Sequence, residues 1–235
     1  MKFLNSIEIP GKRQKRIELY QGDLTTLGAD ENFDLLIISA FPNDYTPTDN
    51  SVIGTLYRKG LSVAALAMNK DVDLRESFSC WLSNEFTPQD TELRFKRILC
   101  FEPLIRGRPP ELVGDIFRAL TPILAERPDI KTLALPIIAA GDQSYPVAEM
   151  LVPLLEAAFH WLKAGLPLDS IKIVVKSGDQ SKEVLRVFSD WRDKYLPRPM
   201  FSLSRAGDSL QQPYKDGQSK ADFDKYLDQL RNLIL

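Results

Sequence analysis

A chain of 235 residues, 44% hydrophobic and 26% charged, has the composition of a folded domain and the length to bury a sizeable core. Its formal net charge of −2 excludes the broad positive field that a nucleic-acid groove or an anionic membrane surface would need. Two cysteines, Cys80 and Cys100, are too few for a disulfide framework, and no C-x-x-C spacing offers a redox or zinc site.

The opening Met1-Lys2-Phe3-Leu4-Asn5-Ser6 has neither a long apolar core nor a small-residue cleavage site, so no secretory leader is expected. Apolar runs such as Leu133 to Ala140 are far shorter than a membrane span. With both thiols packed in reduced form, the expectation is a cytoplasmic protein with no membrane and no nucleic acid among its partners. Phe3 to Ile9 and Ile17 to Tyr20 predict two strands around the turn dipeptide Pro10-Gly11. The basic cluster of Lys12, Arg13, Lys15 and Arg16 between them reads as a solvated loop.

Asp34-Leu35-Leu36-Ile37-Ile38-Ser39-Ala40 is an apolar run of the kind found in strands covered on both faces. A loop containing Pro42, Asn43, Asp44 and Pro47 leads to an expected helix over 52–58, with Gly60 as its C-terminal cap. Asp71-Val72-Asp73-Leu74-Arg75-Glu76 reads as a charged surface loop without the spacing of a calcium site. Phe78 to Leu82 and Arg97 to Phe101 predict two strands, and Arg106 to Pro110 a turn. Leu112, Ile116, Leu120 and Leu124 carry helical spacing over 111–126. A strand over 132–138, an apolar helix over 149–163 ending near Gly165, a strand over 171–175 and a helix over 183–195 complete the pattern. The alternation predicts a three-layer α/β/α domain over 1–196 with a mixed, largely parallel sheet. Residues 197–218 turn to Ser, Gln, Pro, Gly and Asp and predict a linker. Phe223, Tyr226, Leu227, Leu230 and Leu233 then define a C-terminal helix that packs on the domain or on a partner chain, including a second copy; the pattern does not separate these.

In such sheets ligands bind outside the carboxyl ends of the strands. Three loops placed there have unusual composition: Gly22-Asp23-Leu24-Thr25, residues 39–54, and Ala139-Ala140-Gly141-Asp142-Gln143-Ser144-Tyr145-Pro146. Small residues before a helix let backbone N–H groups approach an anion, and the helix dipole favours negative charge there. The third loop therefore reads as a phosphate cradle.

The order of these loops resembles macro domains. Gly22-Asp23-Leu24-Thr25 is similar to their Gly-Asp-Ile/Leu-Thr opening, residues 33–41 to their second strand, and residues 135–146 to their Pro-Ala-Ile-Gly-Thr-Gly-Ile-Tyr-Gly-Tyr-Pro segment. The likeness covers about residues 15 to 195. It implies binding of ADP-ribose or a related NAD-derived nucleotide, as a reader module with no cofactor and no metal. Asp23 would accept from the adenine amino group and the Leu24 backbone would take a ring nitrogen. Ser51, Val52, Ile53 and Gly54 would form the first phosphate loop. Ile138, Ala139, Ala140, Gly141, Asp142, Gln143, Ser144 and Tyr145 would supply the second, with Ser177 near the adenine or its ribose.

The chain departs from the family where its hydrolases carry an Asn in the second-strand loop: Ser39, Ala40, Phe41 and Pro42 stand there instead, with Asn43 displaced. This favours binding over catalysis, with no catalytic residue assigned. Residues 41–47 and 78–83 also resemble macro-like modules that accompany TIR proteins in bacterial antiviral defence, which implies a TIR-domain partner. Two alternatives remain open: an ADP-ribosyl hydrolase holding water on Asn43, Asp44 or Asp142, and an interaction scaffold with a degenerate pocket that dimerises through its last helix. Asp23 could also simply cap a turn starting near Thr25. His160, the one histidine, reads as a helix residue rather than a catalyst, and Ser39 lacks an evident base.

Overall fold

The apolar runs of the sequence become the central strands of one eight-stranded sheet, with order β1 (Lys2–Ile9), β2 (Lys15–Gln21), β8 (Ser170–Val175), β7 (Thr132–Pro136), β3 (Leu35–Ser39), β6 (Arg97–Phe101), β5 (Cys80–Ser83), β4 (Lys70–Leu74). The structure, a computed structural model, describes residues 1–11, 14–28, 31–90, 92–103, 109–138, 145–176 and 178–195. The chain divides into two units, Met1–Arg192 and Asp193–Leu235. The predicted linker and C-terminal helix lie outside the described residues.

In chain order the elements are β1 (Lys2–Ile9), β2 (Lys15–Gln21), β3 (Leu35–Ser39), α1 (Val52–Arg58), α2 (Val63–Met68), β4 (Lys70–Leu74) and α3 (Arg75–Phe78). There follow β5 (Cys80–Ser83), β6 (Arg97–Phe101), α4 (Pro109–Leu112), α5 (Gly114–Glu126), β7 (Thr132–Pro136), α6 (Val147–Ala164), β8 (Ser170–Val175) and α7 (Asp179–Tyr195). Strands β2, β8, β7, β3 and β6 run parallel, whereas β1, β5 and β4 pair antiparallel at the two flanks. Both edge strands carry a register shift, β1 between Phe3 and Asn5 and β4 between Lys70 and Val72.

The pleat sends alternate side chains to opposite faces. Leu36, Ile38, Trp81, Ile98, Cys100, Ala134 and Val174 form one buried face, covered by Ile53 and Leu56 of α1, Val63 and Ala67 of α2, and Phe33, Leu93 and Phe95. Leu35, Ile37, Leu99, Leu133, Leu135, Ile171 and Ile173 are buried on the other. Buried residues of α5 (Phe117, Leu120) and α6 (Leu151, Leu154, Leu155) face that second layer. Helix α7 joins it through Trp191, whose ring meets Phe159 at 5.5 Å, and through Ser189, which accepts from Asn5 at 2.9 Å. The result is the three-layer α/β/α arrangement.

Local chemistry sets the boundaries. Gly60, with φ of 81°, ends α1: its N–H reaches the Tyr57 carbonyl at 3.0 Å and that of Leu61 reaches Leu56 at 2.9 Å, the two bonds of a Schellman motif. Asp34 Oδ2 accepts from the Lys131 and Thr132 amides at 2.8 Å each and from the Thr132 hydroxyl at 2.9 Å, which locks the start of β7 to the start of β3.

Several sequence expectations change. The segment from Asp71 to Glu76 is not a loop but the edge strand β4 and the start of α3. Its charges hid the period-2 pattern: Asp71 meets the remote Arg97 and Arg127, and Asp73 meets the nearby Arg75. The expected strand at 78–82 begins at Cys80, because Phe78 belongs to α3 and Ser79 sits in the left-handed region with φ of 55°. The long helix over 111–126 is two pieces, broken at Val113. Lys15 is not a solvated loop residue: it lies in β2 and its ammonium donates to the Leu162 and Leu166 carbonyls, where a cation complements the C-terminus of α6. No helix among the described residues is long and apolar enough to cross a membrane.

Removing the Asp34 carboxylate leaves three donors without their acceptor. Asp34→Ala is expected to lower stability by about 2 kcal/mol, read as a lower denaturation midpoint at unchanged m-value.

Candidate functional site

The four adjacent parallel strands β2, β8, β7 and β3 end on the same side of the sheet. Strands β7 and β3 pair only through Leu35↔Leu133 and Leu36↔Ala134, so beyond that point they part. A cleft of about 970 Å³ lies over these strand ends. That volume falls within the range of small-molecule sites, about 300–1,000 Å³.

Asp23 and Leu24 line the cleft beside β2. Asp23 Oδ1 accepts from the Thr25 amide at 2.8 Å and the Thr25 hydroxyl at 2.6 Å, an Asx turn that fixes the carboxylate direction and leaves Oδ2 for another donor. The turn-capping reading and a place in the cleft therefore coexist. The Leu24 amide has no acceptor among the described residues. Lys176 and Gln180, after β8 and at the start of α7, line the same end.

At the β3 end, Ser39, Ala40 and Phe41 line the cleft, followed by Asp44, Thr46, Thr48 and Asn50. Pro42 and Asn43 occupy the centre of a tight turn closed by the Asp44 N–H on the Phe41 carbonyl at 3.0 Å. Proline at its second position and Asn43 with φ of 56° at its third fit the type II pattern. The Asn43 side-chain oxygen accepts from Arg75 Nη1 at 2.9 Å, and Asn43 is not among the residues lining the cleft. Asp44 does line it, and the Thr46 hydroxyl and amide hold its carboxyl below the usual carboxylate range.

The turn is held from below by Glu102, which has 0% exposure. Its carboxylate accepts from the Asn43 amide at 2.8 Å, Trp81 Nε1 at 2.8 Å, Arg75 Nη1 at 3.1 Å and the Tyr45 hydroxyl. Burial, and then the bond to Glu102, push the Tyr45 phenol far up, so it remains a donor. Its ring stands edge-on to Trp81 with centroids 5.8 Å apart. A buried carboxylate is tolerated only when its lone pairs are used in this way.

The start of α1 forms the facing wall, where Ser51, Val52 and Ile53 line the cleft. Ser51 Oγ accepts from the Gly54 amide at 2.9 Å and donates to the Thr48 carbonyl at 3.1 Å, an N-cap that leaves the Val52 and Ile53 amides without an intrahelical acceptor. Gly54 lies behind this wall. A Cβ there would stand 1.8 Å from the Thr48 carbonyl oxygen, so only glycine permits the contact.

Of the remaining sequence candidates, Ile138 is buried at 1% exposure and Tyr145 is not among the lining residues. Ala139, Ala140, Gly141, Asp142, Gln143, Ser144 and Ser177 lie outside the described residues. Among the described residues no three His, Cys, Asp or Glu side chains gather as metal ligands would. His160 is exposed on α6, and burial pushes the Cys80 and Cys100 thiols well above their ordinary range. Glu102 escaped the sequence reading, whereas Thr46 and Thr48 were singled out only as part of the loop 39–54. For Glu102 a signal exists: an acid directly after the apolar run Ile98 to Phe101 and before Pro103.

Two variants test this construction. Gly54→Ala should cost on the order of 2 kcal/mol by overpacking and displace residues 46–50, visible as altered amide shifts there. Glu102→Gln puts an amide where a carboxylate accepts from several donors; a loss of about 3 kcal/mol and faster hydrogen exchange at Asn43 are expected.

No protein-family model matches the sequence, and no curated protein matches it. Among solved structures the chain is similar to the Oceanobacillus iheyensis macrodomain with MES bound, with a TM-score of 0.59 and 14% identity over 82% of this chain and 99% of that one. The same macrodomain with ADP gives 0.58 and 14% over 82% and 98%. The Trypanosoma brucei macrodomain in complex with ADP-ribose gives 0.52 and 16% over 74% and 68%. At these identities the likeness establishes architecture: the chain carries the macrodomain fold.

Proposed function

We propose that the cleft binds ADP-ribose or a related NAD-derived nucleotide, and that the chain reads this ligand without turning it over. The observation that carries the reading is the row of four parallel strand ends, with an acceptor carboxylate at the β2 end and the amide-bearing start of α1 at the β3 end. The row spans three strand spacings, about 14 Å, long enough for an extended nucleotide rather than a single small ion. Macrodomains of like fold in complex with ADP and with ADP-ribose support the ligand class.

On this reading Asp23 Oδ2 accepts from the adenine amino group and the Leu24 amide donates to a ring nitrogen. The diphosphate lies along the start of α1, where the free Val52 and Ile53 amides and the helix dipole favour negative charge. Lys176 adds a positive charge at the β2 end of the cleft. The reader role is supported by Asn43, whose side-chain oxygen is held by Arg75 and which does not line the cleft. The likeness of residues 41–47 and 78–83 to TIR-associated modules supports a TIR-type, NAD-consuming enzyme as the source of the ligand.

Asp23→Asn keeps an oxygen for Thr25 while turning the second position into a donor. Calorimetry with ADP-ribose should show binding weakened by about tenfold or more at a nearly unchanged melting temperature. Unaltered affinity would remove Asp23 from base recognition. Incubation with ADP-ribosylated protein should release no ADP-ribose; steady release would replace the reader by a hydrolase.

A further inference from the structure

Phe41 and Asp44 stand together at the β3 end of the cleft. They are the first and last residues of the Pro42-Asn43 turn and face each other as an isolated antiparallel bridge. Residues opposed in this way send their side chains to one side, with Cβ atoms about 5 Å apart. Both line the cleft. Phe41 leaves 52% of its surface open to solvent, while the neighbouring Ala40 is 5% exposed. Asp44 is exposed, spends Oδ1 on the Thr46 amide at 3.0 Å, and has no ion-pair partner among the described residues.

We propose that Phe41 and Asp44 form a subsite for a flat organic cation carried on the distal end of the bound nucleotide, the shared chemistry of a pyridinium ring and a guanidinium group. The proposal rests on the nucleotide reading above, which puts the base beside Asp23 and hence the distal ribose beside Ser39, Ala40 and Phe41. An open aromatic face attracts a cation, and an adjacent carboxylate without a counter-ion adds to the attraction. The pair needs no ordering on binding, because Glu102 and Arg75 hold the turn through Asn43. The cleft therefore changes polarity along its length, with helix-end amides for the diphosphate and a carboxylate with a ring beyond it. An additional phosphate on the distal ribose would meet repulsion there.

The test compares ADP-ribose, NAD⁺ and ADP-ribosyl-arginine by calorimetry on the full chain. At least one of the two cationic ligands should bind about tenfold more tightly than ADP-ribose. Preference for NAD⁺ assigns the pyridinium as the source, and preference for ADP-ribosyl-arginine the guanidinium. In Asp44→Asn the ratio of cationic to neutral affinity should fall to about one. Equal or weaker binding of both cationic ligands by the unaltered chain overturns the proposal. A second arm uses 1-methylnicotinamide alone, followed by the amide resonances of residues 41–45. Shifts that vanish in Asp44→Asn support the subsite even where no nucleotide binds, in which case the nucleotide reading fails instead. Nucleotide binding without cation preference and without such shifts sinks the subsite and leaves the nucleotide reading intact.

Discussion

A carboxylate wholly removed from water, Glu102, joins the elements on which the cleft depends. It stands just beyond the end of β6 and gathers donors from the turn after β3, from α3 and from β5. Buried charge of this kind is costly unless every donor is in place, so the arrangement behaves as a unit: weakening one bond leaves the others around an uncompensated group. This ties the β3 turn, which by sequence is an exposed stretch of Pro, Asn and Asp, to the rigid centre of the sheet. A loop that would otherwise wander becomes a fixed wall.

The opposite wall is set by sterics rather than charge. Gly54 lets α1 approach the Thr48 carbonyl, and Ser51 closes the same contact with a pair of hydrogen bonds. Between the walls the sheet itself makes room, because β3 leaves β7 after Leu36 and Ala134. Parallel strands with divergent ends, one wall pinned by a buried acid and one by a missing side chain, produce the cleft. The macrodomain fold provides the platform, while the residues on each wall decide what the cleft accepts.

The central strands were legible because they are buried on both faces, which makes β3, β6, β7 and β8 short apolar runs between turn signals. Helices α5 and α6 were legible for the related reason that their apolar stripes repeat at helical spacing. Strand β4 was not, since Asp71 and Asp73 disguise it and the partners of Asp71, Arg97 and Arg127, lie far away in sequence. Helix α2 was missed because six residues carry too little periodicity, and its Ser62 N-cap is a signal only once the helix is known. At the cleft, the loops containing Asp23, Ser39 to Phe41 and Ser51 to Ile53 could be singled out as polar segments at strand ends. That Gly54 lies behind the wall, that Asn43 turns to Arg75 and that Glu102 anchors the turn all depend on contacts across the sheet, which local pattern does not encode.

The two borders of the sheet carry a consequence of their own. An unpaired strand is a template for another chain, and both outer strands here are spoiled for that purpose. A register shift interrupts β1 between Phe3 and Asn5, and another interrupts β4, whose remaining positions include Lys70, Asp71 and Asp73. Backbone ladders with a neighbouring molecule are thereby discouraged on both sides, which protects against intermolecular β-stacking while the protein is crowded.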